Sequence, residues 1–399
     1  MLLCKKIQLR LSRSDAATLE FMQAKCRGLY NWWIAGLRNG EHWKLYQAKK
    51  SLIASKQYDL ELKYVYGKLL AEVDFRLDKA MATFFRRVAA GEKPGFPRFK
   101  PRHQFFTLKY PGAYLAVSGG RITLPTGGKG KGKKFENVVA HLTETPPPNF
   151  KEVAVTKDSR GRYYCCFVYE TNSYSPGDNP TYLGIDLGIK TLASGVNEQG
   201  RVYQIGGFKG YRWFNRQLDK IRSRRSSCKK GSRRYCFLSK VYQLVAEKKR
   251  NKLVDSLHKA SSFIAYKLAE SAVVIGELSQ RQMVSNSNNK FRNRAVFNDW
   301  GLYQFVVLLK YKCVLAGKSL HIISERDTSK TCSRCSHQQD MPLYKRTYRC
   351  PHCGNVMDRD TNSAINILLR FLARLAPHKL ATVCGVLGVI QAIDTFTHV

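Results

Sequence analysis

Acidic side chains are scarce in this 399-residue chain: 29 Asp and Glu stand against 68 Lys and Arg, a net charge of +39. Such an excess repels itself in a compact protein unless a polyanion neutralises it. The expected partner is therefore nucleic acid. A basic membrane-surface protein is the competing class. The cations, however, are spread along the whole chain and interleaved with Tyr, Phe and Trp, rather than gathered beside one apolar segment. Long apolar runs are also missing. The longest, Leu380 to Ile390, is too short to span a bilayer, so no membrane partner is expected. The opening Met1-Leu-Leu-Cys-Lys-Lys has no apolar h-region and predicts no secretory leader. Eight of the twelve cysteines, Cys26, Cys165, Cys166 and Cys313 among them, lack metal-ligand spacing and read as mostly buried, reduced thiols. Together these absences predict a cytoplasmic protein, associated with the nucleoid when active.

The length allows two or three domains. Residues 4 to 11 alternate weakly and read as an edge strand. Ser14 reads as an N-cap, followed by Leu19, Met22, Cys26, Leu29, Trp33 and Leu37 at helical spacing, with Gly40 as a stop. Helical sequence continues to about Ala90, where Lys93 to Arg102 interrupts it with three prolines. From about 105 to 170 the texture is strands and turns. Val153 to Thr156 and Tyr163 to Tyr169, joined through Asp158-Ser-Arg-Gly161, form a hairpin pattern. Gly127 to Lys134 nearly matches a phosphate-binding loop, but Lys134 stands where Ser or Thr is required, and a flexible basic loop is the better reading. Ser173 to Asn179 reads as a linker. Beyond it the pattern is three strands, a helical stretch over about 210–271, a strand at Ala272–Gly276, an amphipathic helix from Leu302 closed by Gly317, a strand at Leu320–Ile323, a cysteine-rich module and a last helix. That order predicts a three-layer α/β domain with a mixed sheet.

The cysteine-rich module reads Cys332-Ser-Arg-Cys335, fourteen residues, then Cys350-Pro-His-Cys353. Four thiolates at this spacing can close a tetrahedral site around one structural Zn²⁺, leaving His352 without a place in it. Asp358-Arg-Asp360-Thr-Asn362 follows at once. Asp186, in the first strand opposite Leu183, Ile185 and Leu187, and Glu277, at the end of a later strand, are the other acids at the edge of an apolar element. Alone, Asp186 could be a turn former, Glu277 a strand terminus and Asp358/Asp360 a helix cap. Converging, three carboxylates would need cations, and two Mg²⁺ ions would both neutralise them and act on a phosphodiester.

Gly184-Ile-Asp-Leu-Gly-Ile-Lys190, Ile275-Gly-Glu-Leu278 and Asp358-Arg-Asp-Thr-Asn-Ser-Ala-Ile-Asn366 resemble the three RuvC nuclease motifs of the TnpB family. Thr328 to Cys335, Tyr348 to Gly354, Gly95-Phe-Pro-Arg-Phe-Lys100 and Trp300-Gly301 agree with the same family. TnpB proteins are transposon-encoded RNA-guided DNA endonucleases related to type V CRISPR effectors. The resemblance implies a multidomain α+β and α/β chain. Residues 1–13 and 93–178 would form a small wedge-like β-barrel domain and 14–92 a helical recognition domain. Residues 179–325 and 356–399 would form a RuvC/RNase H-like nuclease domain, interrupted by a zinc ribbon at 326–355. It implies Asp186, Glu277 and Asp360 as catalytic acids, with Asp358 and Asn362 supporting them. It also implies a guide RNA, one protein chain per RNA, and double-stranded target DNA cut beside a short flanking motif. The chain departs from the family in its second motif. Aligned on Leu278, Glu277 takes the place of an aspartate and Gly276 that of the usual glutamate. A repressor that no longer cuts, and an RNase H-like transposase, are the alternative activities.

Two segments are expected to touch nucleic acid. One is basic: Arg222, Arg224, Arg225, Lys229, Lys230, Arg233 and Arg234. The other, Phe96, Arg98 and Phe99 between prolines, is a rigid aromatic-basic element suited to an RNA backbone. Of the aromatic residues Tyr30, Trp32 and Trp33, Trp33 shares the apolar stripe and is expected in the core.

Overall fold

The structure, a computed structural model, describes residues 1–40, 59–128, 134–172, 180–188, 191–277, 284, 289–342 and 344–389. The expected linker at 173–179 and most of the basic glycine loop lie outside them. The chain divides into two compact units, Met1–Thr171 and Asn172–Val399.

In the first unit, β1 (Leu2–Arg10) is followed by α1 (Arg13–Arg38) and α2 (Gly67–Ala89). Six strands then follow: β2 (Leu108–Pro111), β3 (Ala116–Ser118), β4 (Arg121–Leu124), β5 (Val138–Leu142), β6 (Phe150–Lys157) and β7 (Tyr163–Glu170). They form one antiparallel sheet in the order β2-β6-β7-β1-β5-β4-β3. The first strand is thus central, not an edge. It pairs with β7 from Leu2↔Glu170 to Leu9↔Tyr163 and with β5 at Leu9↔Leu142. Alternation reveals which face of a strand is buried but not how many neighbours it has. The cap of α1 is also corrected: Ser12, not Ser14, accepts from the Asp15 N–H at 3.0 Å. Leu19, Met22, Cys26, Leu29 and Trp33 of α1 are buried as expected, while Trp32 is 43% exposed.

The second unit opens with β8 (Tyr182–Leu187), β9 (Ala193–Asn197) and β10 (Val202–Ile205). Next come α3 (Tyr211–Ser226), α4 (Arg233–Ser262) and β11 (Ala272–Gly276). After α5 (Lys290–Asn298), α6 (Leu302–Leu315) and β12 (Ser319–Ile323), a small hairpin pairs β13 (Thr347–Arg349) with β14 (Val356–Asp358). Two helices close the unit, α7 (Arg359–Leu375) and α8 (Pro377–Leu387). The sheet order is β10-β9-β8-β11-β12, antiparallel through β8 and parallel from β8 to β12. On one face Leu183, Ile185, Leu187, Val273 and Ile275 pack against Leu253 and Leu257 of α4 and Phe305 and Leu309 of α6. On the other, Val196, Ala272 and Val274 pack against Ile367, Leu368 and Phe371 of α7. This is the mixed three-layer arrangement the pattern predicts. Among the described residues, no helix is long and apolar enough to cross a membrane.

Candidate metal-ion site

Strand periodicity puts Gly184 and Asp186 on the face of β8 that meets α7. The absence of a side chain at Gly184 lets the helix come unusually close. A Cβ there would lie 2.7 Å from the Ala364 carbonyl oxygen and 2.7 Å from the Leu368 Cβ. The approach sets the Ser363 hydroxyl 3.2 Å from Asp186 Oδ1, to which it donates a hydrogen bond. Gly184→Ala is expected to push α7 off the strand, costing about 1–3 kcal/mol of stability. A thermal melt checks this.

Asp358 performs the cap expected of it: its Oδ1 accepts from the N–H groups of Asp360 (2.9 Å) and Thr361 (3.0 Å). Asp360 then occupies the first turn of α7, where the helix dipole favours an anion, and is only 6% exposed. Both Asp360 oxygens accept from Arg346 Nη1 at 3.1 and 3.0 Å, and Oδ1 also accepts from Arg359 Nη2 at 3.1 Å.

Asp186 and Asp360 line one cavity of about 890 Å³. A third acid on its wall is one that no sequence motif marks: Glu325, just beyond β12. Burial, with Glu325 and Asp360 as close negative neighbours, holds the Asp186 carboxyl well above the usual carboxylate range. Burial and the Glu277 charge raise Glu325 to about 7. Acids held this way are poised to take up cations.

Glu277 is not among the residues that line the cavity, although its charge reaches Glu325. Its N–H donates to the Ile323 carbonyl at 2.7 Å, so β11 pairing runs one residue past the strand and its alternation still applies. Val274 and Gly276 face α7; Ile275 packs on the opposite face, and Glu277 follows it and is exposed. Of the two glutamates, Glu325 and not the expected Glu277 lines the cavity with Asp186 and Asp360. The sequence does hold one signal for Glu325. It lies two residues past Ile323 and so keeps the parity of a residue facing α7.

The far wall of the cavity is basic and aromatic. Arg212 and Arg216 from α3 are exposed there, beside Tyr211 and Trp300. Neither arginine stands out in the sequence pattern. Asp299, on the same wall, is buried and held by Lys249 and by the Asn215 amide at 2.7 Å.

The four cysteines converge, with all their Sγ atoms within 4.8 Å of one another. Cys332 and Cys353 sulfurs are 3.7 Å apart, and those of Cys335 and Cys350 3.6 Å. A tetrahedron of thiolates around Zn²⁺ has edges of about 3.8 Å, so the donors fit that ion. Each knuckle closes with a left-handed residue, Ser336 (φ 59°) and Gly354 (φ 70°), whose N–H reaches back to the first cysteine's carbonyl at 2.9 and 3.1 Å. Burial works against the Cys350 thiolate, yet the N–H groups of Cys353 and His352, together with the Cys335 and Cys353 thiols, bring it down to about 7.

The module is tied to α7 by two buried asparagines. Asn362 Oδ1 accepts from the Ser333 N–H (2.9 Å), and its amide donates to the Thr331 carbonyl (2.7 Å). The Asn366 amide donates to the carbonyls of Thr328 (2.8 Å) and Thr331 (2.7 Å). The Thr328 and Ser363 hydroxyls meet at 2.9 Å. The first cysteine knuckle therefore grips the same turns of helix that carry Asp360 and the Ser363 bridge to Asp186.

Of the expected nucleic-acid contacts, Arg222, Arg224, Lys229, Lys230, Arg233 and Arg234 are exposed around the α3–α4 turn. Arg225 is half-buried, its guanidinium 5.1 Å from the Tyr242 ring centre. In the first unit Arg98 is exposed and Phe99 is 45% exposed, while Phe96 packs on the core. The segment is strapped to α1, where Asn31 donates to the Lys100 carbonyl and accepts from its N–H.

Two family models match. One described as "Cas12f1-like, TNB domain" covers residues 303–367, and one described as "Probable transposase" covers 166–287. A Streptomyces pristinaespiralis protein named "Putative RNA-guided DNA endonuclease" is 27% identical over 314 residues, 77% of this chain and 71% of that protein. A TnpB-like protein of Methanocaldococcus jannaschii is 24% identical over 55% of this chain and 78% of its own length. Among solved structures, the protein of a Cas12f1–sgRNA–target DNA complex superposes with a TM-score of 0.59. That match spans 89% of this chain and 82% of the other at 13% identity. The likeness is one of fold.

Proposed function

Since this chain belongs to the TnpB family, we propose that it is an RNA-guided DNA endonuclease that hydrolyses target DNA beside a short flanking motif. The observation that carries the reading is the convergence of Asp186 and Asp360 on one cavity. Ser363, three residues after Asp360 on α7, bonds Asp186 across 177 positions of sequence.

Bound Mg²⁺ would supply an activated water and neutralise charge at the scissile phosphate. Asp186 and Asp360 would hold it. Arg346 and Arg359, which bond Asp360, are the cations beside that position and would offer their remaining N–H groups to the scissile phosphate. Arg212 and Arg216 line the approach and place the strand by its phosphates, without reading its sequence. The exposed cations around the α3–α4 turn, and Arg98 with Phe99, hold the guide and target backbones. Zn²⁺ at the four cysteines is structural, because four protein thiolates leave no open position.

The test is to purify the chain from cells carrying its native flanking DNA and sequence the RNA that comes with it. One discrete RNA with a variable end, and Mg²⁺-dependent cutting of DNA matching that end, are expected. Random cellular RNA would reduce the chain to a general basic binder. Joined rather than hydrolysed DNA ends would favour the transposase reading, which one of the matching family descriptions keeps in view.

A further inference from the structure

Three parallel strand ends stand side by side above α7: β8, β11 and β12. Their registers are fixed by Ile275↔Ile185 and Gly276↔Ile323. One step past the first pair, Gly276 stands beside Asp186. Two residues past Ile323, which packs on the α7 side, stands Glu325. The residues aimed at the metal site from the three strands are thus an aspartate, a glycine and a glutamate.

The glycine is the informative member. A Cβ built on Gly276 would lie 2.7 Å from Glu325 Oε2 and 2.8 Å from Glu325 Cβ. Glu325 fills the volume that a side chain at 276 would need. Its Oε2 is buried, with no hydrogen-bond partner among the described residues. A buried carboxylate oxygen with no donor is costly unless a cation takes that place. Glu277, next in the chain, faces the other way and is exposed.

Resting on the reading of this cavity as the nuclease centre, we infer that Glu325, and not Glu277, is the third carboxylate ligand of the catalytic metal ions. It reaches across from the neighbouring strand into space left by Gly276. The two positions exclude each other sterically, so a glutamate at 276 and one at 325 cannot both point at the metals without displacing one another.

The test compares Glu325→Gln with Glu277→Gln in the RNA-bound protein. Mn²⁺ binding is followed by electron paramagnetic resonance, and cutting of guide-matched DNA is measured alongside. Glu325→Gln is expected to weaken Mn²⁺ binding at least tenfold and to remove cutting, while Glu277→Gln leaves both within about twofold of the parent. A second variant moves the acid: Gly276→Glu combined with Glu325→Ala should recover Mn²⁺ affinity relative to Glu325→Ala alone. Loss of Mn²⁺ affinity in Glu277→Gln, or none in Glu325→Gln, overturns the inference. Metal affinity is read without DNA. A parent complex that binds Mn²⁺ through Glu325 but cuts nothing would therefore sink the endonuclease reading and leave this assignment standing.

Discussion

Asp186→Asn is expected to abolish cleavage, by about a thousandfold or more, and at the same time to raise the melting temperature of the metal-free protein. The first effect follows from the proposed role of this carboxylate: a metal held there would stabilise the reacting phosphate by several kcal/mol. The second follows from its surroundings. Asp186 is buried beside Glu325 and Asp360, which hold its carboxyl well above the usual range. Ionising it in the fold at neutral pH therefore costs stability, and a neutral amide removes that cost. In acid, where the carboxyl is protonated in both folded and unfolded chains, the gain should vanish. Asp360→Asn should remove cleavage equally but move stability the other way, by about 1–3 kcal/mol, because it removes the charge, and one of the two acceptor oxygens, that Arg346 and Arg359 share. Cleavage assays on guide-matched DNA, with melts in a metal chelator at two pH values, check both. Full cutting by either variant would refute the site.

The second large effect concerns zinc. Cys332→Ser with Cys335→Ser should release the ion and unfold the module locally, since binding free energy in small zinc sites is also folding free energy, about 10 kcal/mol or more. The damage should travel along one route. Asn362 and Asn366 of α7 bond backbone groups at Thr328, Thr331 and Ser333, all on the first knuckle or leading into it. Without the knuckle, these buried amides lose their partners and the first turns of α7 loosen around Asp360. Hydrogen exchange should rise in the module and at the start of α7 while β8, β9 and β11 keep their protection. Metal analysis should show zinc gone, and cleavage should fall although no acid has been touched. Unchanged zinc content would refute the ligand set.

Much of this molecule is legible in the local spacing of its sequence. The Cys332/Cys335 and Cys350/Cys353 pairs, the capping role of Asp358 and the placement of Asp186 opposite Leu183 and Ile185 all depend on residues close in sequence. What stays hidden depends on which strands are neighbours. Nothing local to Leu2–Arg10 tells that it pairs on both sides. Nothing local to Glu325 tells that β12 lies next to β11, or that Gly276 leaves it room. The shift of the second motif, with glycine where a glutamate is usual, is visible in the sequence as an oddity. Its meaning comes only with the register of two parallel strands. Ser12 instead of Ser14 is a smaller error of the same kind: both can cap, and the helix start decides.

The contact between Gly184 and α7 carries a consequence for how this protein tolerates change. Spacing between a strand and a helix is usually set by interlocking side chains, so it drifts as those side chains are swapped. Here backbone rests against a bare Cα, and the spacing is a mechanical stop. Substitutions among the large residues on the opposite face of the sheet can therefore accumulate without altering the distance from Asp186 to Ser363. A library that randomises both faces should recover active clones rich in variation on the α4–α6 side and almost invariant along the strip from Gly184 to Ala364.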